Sequence, residues 1–360
     1  MHRLNFLFLL ALALLARVAA AETLYFGGPI ISLDSGDRVF EALLARDGRI
    51  AAVGSRRALE AVAAEDVQRV DLAGRALLPG FVDSHSHATG IGLQAMAANL
   101  LPAPDGEGNS IADLQRIMRE YLATDPELLN GVGWLIGFGY DDSQLADGRY
   151  PDRHDLDEIS TEIPIAIVHQ SGHLGVANSV ALARAGVTAA TPDPPGGVFR
   201  REGPDGEPSG ILEENAFYQV LLTALGALDE KLSDEMLVAG TQLMARYGYT
   251  TAQDGRSSAA NLASMARVSA AGELPIDLVA YPDTLMVESV DPQPEYTNRF
   301  RVGGVKLTID GSPQGKTAWL TEPYYVPPEG QAEDYAGYPA ADADTTNAAV
   351  LRAFANGWQI

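Results

Sequence analysis

The chain has 360 residues, 48 of them acidic against 25 basic, with a formal net charge of −23, 46% hydrophobic residues and no cysteine. Without cysteine there are no disulfides, thiolate ligands or thiol nucleophiles, so any metal must be held by His, Asp, Glu or Lys. The acidity argues against nucleic acid or anionic membrane as a partner, and the apolar fraction is ample for a core in two or three structural units.

In chain order, Met1, His2 and Arg3 form a basic start, Phe6 to Ala16 is an unbroken apolar run, and Val18 to Ala21 supplies small residues. The pattern reads as a secretory signal peptide over residues 1–21, since the run is too short for a bilayer, which needs about 20 residues. The mature chain is then expected to be soluble, exported to the periplasm or the extracellular space, and off the membrane after cleavage. Residues 22–79 alternate short β runs with turns. Leu24 to Phe26 and Pro29 to Ser32 come first, then Ala42 to Ala45 and Arg49 to Val53 around the hairpin signal Asp47-Gly48. Ser55 to Ala64 reads as a short helix and Gln68 to Leu72 as a strand. A sheet this small does not stand well alone.

An apolar strand from Ala76 to Val82 then runs into Asp83-Ser84-His85-Ser86-His87. Residues i and i+2 of a strand share a side, so His85 and His87 project together and make half of a divalent-metal site. Beyond them, Ile111 to Leu122 is expected to be a helix capped by Ser110, Pro164 to Val168 a buried strand, and Asn178-Ser179 the start of a helix ending at Gly186. Thr191 to Gly210 reads as a loop or hairpin, and Glu213 to Leu228 and Ser233 to Tyr247 as helices. Strands are expected at Tyr249–Asp254, Ile276–Ala280 and Gly304–Gly311, with helices at Asn261–Ala271 and Thr345–Ala355. This alternation suggests parallel strands. Trp358 to Ile360 opens a further one.

Six segments occur in the order found in the amidohydrolase superfamily, in its YtcJ-like branch with the N-substituted formamide deformylases. They are Leu78–His87, Gly137–Asp141, Pro151–Leu156, Ser171–His173 through Asn178-Ser179, Gly210–Glu213, and Val305-Lys306 through Pro323-Tyr324. The chain resembles that family over everything after residue 21. The resemblance implies an α/β fold of the TIM-type (β/α)8 metal-dependent hydrolase class. A composite β-sandwich would cover residues 22–79 and a partial barrel residues 80–360, with an inserted segment at about 100–245. Family members carry a His-Ala-x-Gly-Asp strand after a segment like Asn356–Ile360, then a further His strand and a late Asp strand. By this reading four barrel strands are present, ending near His87, Asp254, Ala280 and Asp310. The chain is therefore expected to be a fragment, with the proton-transferring Asp beyond Ile360, the alternative being a truncated product that cannot function as written.

The resemblance further implies that His85, His87 and Lys306 are metal ligands. Lys306 lies between Val305 and Leu307, where an unpaired ammonium is costly. It either snorkels its stem to a carboxylate or solvent, or reacts with CO2 as a neutral amine to give a metal-bridging carbamate, as in other amidohydrolases. Zinc, one or two ions, is the default for such ligands, with manganese or iron as alternatives. His173, Glu213 and Asp310 are candidates for substrate contact. For Glu213, like its neighbour Glu214, the competing role is favourable charge at a helix start. An Asp-Gly turn explains Asp310 equally well. His169, Asp83 and Trp134 read as structural and His154 as solvated. The expected activity is hydrolysis of a linear amide or formamide of a small molecule by metal-activated water. Cyclic amides, ring deamination, C–O cleavage and a non-catalytic relic are the alternatives. Self-association is left open.

Overall fold

The computed structural model describes residues 22–194, 197–284, 287, 289–311, 313, 316, 318–327, 331–339 and 341–360. The expected signal peptide lies outside the described residues. Among those described, no helix is long and apolar enough to cross a membrane. The chain divides into two compact units, Met1–Phe81 and Val82–Ile360.

In the first unit, β1 (Glu22–Ile31), β2 (Val39–Arg46), β3 (Arg49–Gly54) and β4 (Gln68–Asp71) form one sheet in the order β3-β2-β1-β4. The hairpin signal forms as expected. Arg46 pairs with Arg49, and the intervening Asp47 and Gly48 have φ of 53° and 71°, the left-handed pair that a two-residue turn matching strand twist requires. Helix α1 (Arg56–Glu60) is capped by Ser55, whose hydroxyl accepts from Ala58 N–H at 3.3 Å. Leu24, Phe26, Ala42, Leu44, Leu59 and Val67 make this unit's core. Where a sandwich has two layers, this unit has a single sheet.

The second unit contains two sheets. One is mixed: β6 (Ala98–Asn99), β7 (Leu135–Tyr140), β8 (Ile165–His169), β9 (Leu174–Ala177), β10 (Gly197–Glu202) and β11 (Glu207–Glu214), in the order β10-β11-β9-β8-β7-β6. Strands β6 to β8 run parallel, and the remaining pairs are antiparallel. Strand β8 is buried on both faces. Ile165 and Ile167 enter the cluster beneath α3 (Ile111–Leu122), while Ala166 and Val168 enter the opposite cluster with α4 (Glu127–Val132), α6 (Ser179–Arg184) and α7 (Asn215–Leu225). Helix α5 (Arg153–Asp157) opens on an Asp152 capping box.

The other sheet consists of β5 (Phe81–Val82), β12 (Tyr249–Ser257), β13 (Asp277–Pro282) and β14 (Phe300–Val302), in the order β14-β13-β12-β5. Strands β12, β13 and β14 are parallel. Their core packs under α2 (Ala88–Met96), α8 (Glu230–Arg246) and α9 (Ala259–Ala271), and α10 (Ala343–Ala355) follows later. This sheet is open. The α/β class therefore stands, and among the described residues no barrel closes.

Four expectations need correction. The strand expected from Ala76 shrinks to Phe81–Val82, because Pro79 and Gly80 interrupt it. The helix expected from Glu213 begins at Asn215; Glu213 stays on β11, where Val198 and Leu174 flank it as ladder partners. Helix α8 begins at Glu230, capped by Asp229, rather than at Ser233. The strand expected at Gly304–Gly311 is instead β14, which starts four positions upstream, followed by single bridges from Gly304 to Gln359 and from Lys306 to Asp283. Pro282 of β13 has no N–H to donate, so the regular ladder stops there.

Candidate active site

Beyond β5 the backbone is held by Asp83. Its carboxylate accepts from His85 N–H at 3.2 Å, from Gln253 N–H at 3.0 Å and from the Ser86 hydroxyl. Asp83 is thus structural, as expected, and ties the histidine segment to β12. His85 therefore sits in a bend past the strand, and His87 pairs with Asp254 at the start of α2. The two rings still converge, edge to face, with centroids 5.7 Å apart. Gly255 permits this approach: a Cβ there would lie 3.4 Å from His85 Cε1 and 3.0 Å from the Ser86 carbonyl oxygen.

Desolvation pushes His87 below the ordinary imidazole range; the Asp254 carboxylate opposes this, while His85, Lys306 and Arg256 reinforce it. The segment after β14 brings Lys306 to one cavity with His85, Gln253, Tyr281 and Gln359. Its backbone is fixed by Lys306 N–H donating to the Pro282 carbonyl at 2.8 Å. Among the described residues the Lys306 side chain makes no ion pair. The structure thus gathers His85, His87 and Lys306 at one end of the open sheet.

His173 and Glu214 meet on the neighbouring side. His173 Nδ1 lies 2.9 Å from Glu214 Oε2, and that hydrogen bond raises the His173 pKa against the opposing effect of desolvation. Tyr218 packs edge-on to His173 and donates to the Gly172 carbonyl at 3.1 Å; burial pushes its phenol up to about 12. Glu213 points elsewhere, its carboxylate accepting from Arg200 Nε at 2.5 Å. At Glu214 the backbone leaves the extended conformation, with φ of 48°, and this glutamate is the one that joins His173. Asp310 accepts from Trp319 N–H at 3.0 Å and pairs with Pro339; among the described residues no hydrogen bond or ion pair joins it to the two histidines, and it serves this local turn.

Because the folded state raises the His173 pKa, the pair's stabilisation is full below the unfolded value of about 6.5. It is lost as pH rises through the higher folded value. An NMR titration of the His173 ring is expected to find a midpoint above the ordinary range, falling back in Glu214→Gln. An unchanged midpoint in that variant would refute the coupling.

Sequence reasoning missed Asp254, Arg256, Asp283 and Tyr218. Asp254 is 3% exposed and accepts from Thr89 N–H at 3.0 Å and from the Ser257 hydroxyl at 2.5 Å. Arg256 Nε donates to Asp283 at 3.1 Å. The i, i+2 spacing of Asp254 and Arg256 was the available signal. It also missed a group of Asp141, Asp142 and His169, whose ligand atoms lie within 4.8 Å of one another. Asp141 already accepts from Ser143 N–H at 3.0 Å and its hydroxyl at 2.7 Å, and from Gln144 at 2.6 Å and Gln170 at 2.5 Å. A carboxylate offers about four lone-pair sites, so this group reads as a satisfied network rather than a metal centre. His154, expected to be solvated, lies at the surface with Nε2 2.8 Å from Glu202.

Residues 68–360 match the amidohydrolase family. The chain is 27% identical to YtcJ of Bacillus subtilis (strain 168), covering 94% of this chain and 62% of that protein. It is 28% identical to the N-substituted formamide deformylase of Arthrobacter pascens, over 69% of this chain and 45% of that enzyme. In fold it is similar to an uncharacterized metal-dependent hydrolase of Pyrococcus horikoshii OT3, with a TM-score of 0.67 and 21% identity, over 94% of this chain and 64% of that one. The chain thus spans less than two thirds of each.

Proposed function

The chain belongs to the amidohydrolase family, and from that premise we propose that it is a metal-dependent hydrolase of a small-molecule linear amide or formamide. The observation that carries the reading is the convergence of His85 and His87, rings 5.7 Å apart, beside Lys306. This donor set fits a divalent cation. His87 is biased to the neutral imidazole that metals bind, and His and oxygen donors favour zinc, with manganese or iron also suited. His85 and His87 would hold the ion with Lys306, as the free amine or, after uptake of CO2, as a carbamate. A divalent ion there supplies Lewis acidity toward a carbonyl oxygen and lowers the pKa of water.

The chain's own residues do the rest. Asp83 and Gly255 set the histidine segment against β12. His173, whose protonated form the Glu214 hydrogen bond favours, offers a ring suited to a polar substrate group. Completion of a (β/α)8 barrel, pairing of the first unit into a sandwich, and export by the basic, apolar leader belong to the same reading. The deformylase relative supports a formamide-type substrate by similarity.

The test is metal content and hydrolysis of N-substituted formamides after purification without chelators, with and without bicarbonate. Stoichiometric metal and hydrolysis that chelation removes are expected. Metal-free protein that hydrolyses equally well would overturn the reading. A Lys306→Ala variant that keeps full metal content would remove Lys306 from it.

A further inference from the structure

Resting on the hydrolase reading, we infer that Arg256 receives a carboxylate of the substrate, carried next to the amide that is cleaved. Arg256 follows Asp254 by two positions on β12 and lines one cavity with His87, Thr89, Tyr218, Asp254 and Asn261. Its guanidinium is gripped on one edge only. Nε donates to Asp283 Oδ2 at 3.1 Å, and the Thr308 hydroxyl donates to the same oxygen at 2.8 Å. Asp283 is 0% exposed, so this anchor is fixed. The Arg256 side chain is 48% exposed, and among the described residues its two Nη groups make no hydrogen bond.

Two other polar side chains of the cavity, those of Asp254 and Asn261, are engaged. Asp254 accepts from Thr89 N–H and the Ser257 hydroxyl, and the Asn261 side-chain oxygen accepts from Ser258 N–H at 3.1 Å. Arg256 thus brings the free fork of a guanidinium to the cavity that His87 lines. Its planar donors match the two oxygens of a carboxylate. Asp283 offsets the charge of Arg256, so the recognition rests on directed hydrogen bonds more than on long-range attraction. A substrate held there presents its neighbouring amide toward His87.

The test compares N-formylglycine with N-ethylformamide, which replaces the carboxylate by a methyl group. With the metal-loaded protein, kcat/KM is expected to favour N-formylglycine by ~30-fold, the scale of a hydrogen bond to a charged group. Arg256→Gln should bring the ratio near one, and Arg256→Lys should restore part of it. Because Arg256→Gln leaves Asp283 buried without its cation, a double variant, Arg256→Gln with Asp283→Asn, removes both charges together. The same two compounds are titrated into the metal-free protein by NMR, which needs no turnover. If neither compound is hydrolysed, the hydrolase reading for these substrates fails, and the binding preference still decides the role of Arg256. Equal binding of the two compounds by the unaltered protein, or a preference that survives in both Gln variants, would overturn the inference.

Discussion

His87→Ala is expected to strip the protein of bound metal and to lower amide hydrolysis by more than about 100-fold, the upper range for losing a partner that merely orients a metal ligand. The residue caps the start of α2, its backbone bridged to Asp254 and its ring edge-on to His85. Alanine removes one of two neighbouring imidazoles, and no other described histidine stands beside this pair to replace it: His154 bonds Glu202, His169 sits with Asp141 and Asp142, and His173 is paired with Glu214. The measurement is metal per chain by elemental analysis, alongside kcat/KM. His154→Ala, at the surface, is the control and should keep its metal. Full metal content in His87→Ala would remove this residue from the centre.

Gly240→Leu is expected to destabilise the second unit by about 3 kcal/mol or more, the upper range for overpacking a core. Helices α2 and α8 cross where neither carries a side chain. A Cβ on Gly240 would lie 2.6 Å from both the Ala88 carbonyl oxygen and Gly92 N, and one on Gly92 would lie 2.2 Å from the Met236 carbonyl oxygen. These neighbours are backbone, which cannot rotate away as a side chain can. To admit leucine the helices must separate, and His87 is the residue that leads into α2. The variant should therefore melt at lower temperature and bind metal more weakly. An unchanged melting temperature would show that the crossing yields without cost.

Much of the local structure was legible in the residues. Asp47-Gly48 specifies its turn because few pairs tolerate two left-handed positions. Ser110 and Asn178 cap their helices as expected, with Asp113 N–H and Ala181 N–H donating to their side chains at 3.1 and 2.9 Å. Boundaries that depend on partners were not legible. Glu213 has a composition suited to a helix start, yet two neighbouring strands offer it a ladder. Lys306 was found on sequence, while the irregular step that carries it past Pro282 was not.

The family resemblance, the α/β class and the pairing of His85 with His87 were readable from residues alone, because these rest on short-range spacing and on residue chemistry. It took the folded chain to reveal that Glu214 rather than Glu213 meets His173, that Asp254 and Arg256 stand beside the histidines, and that Asp141 is already satisfied. The reason is physical. Each of these depends on which backbone lies across a gap of many residues, and a contact such as Thr89 N–H to Asp254 leaves no periodic trace in either segment.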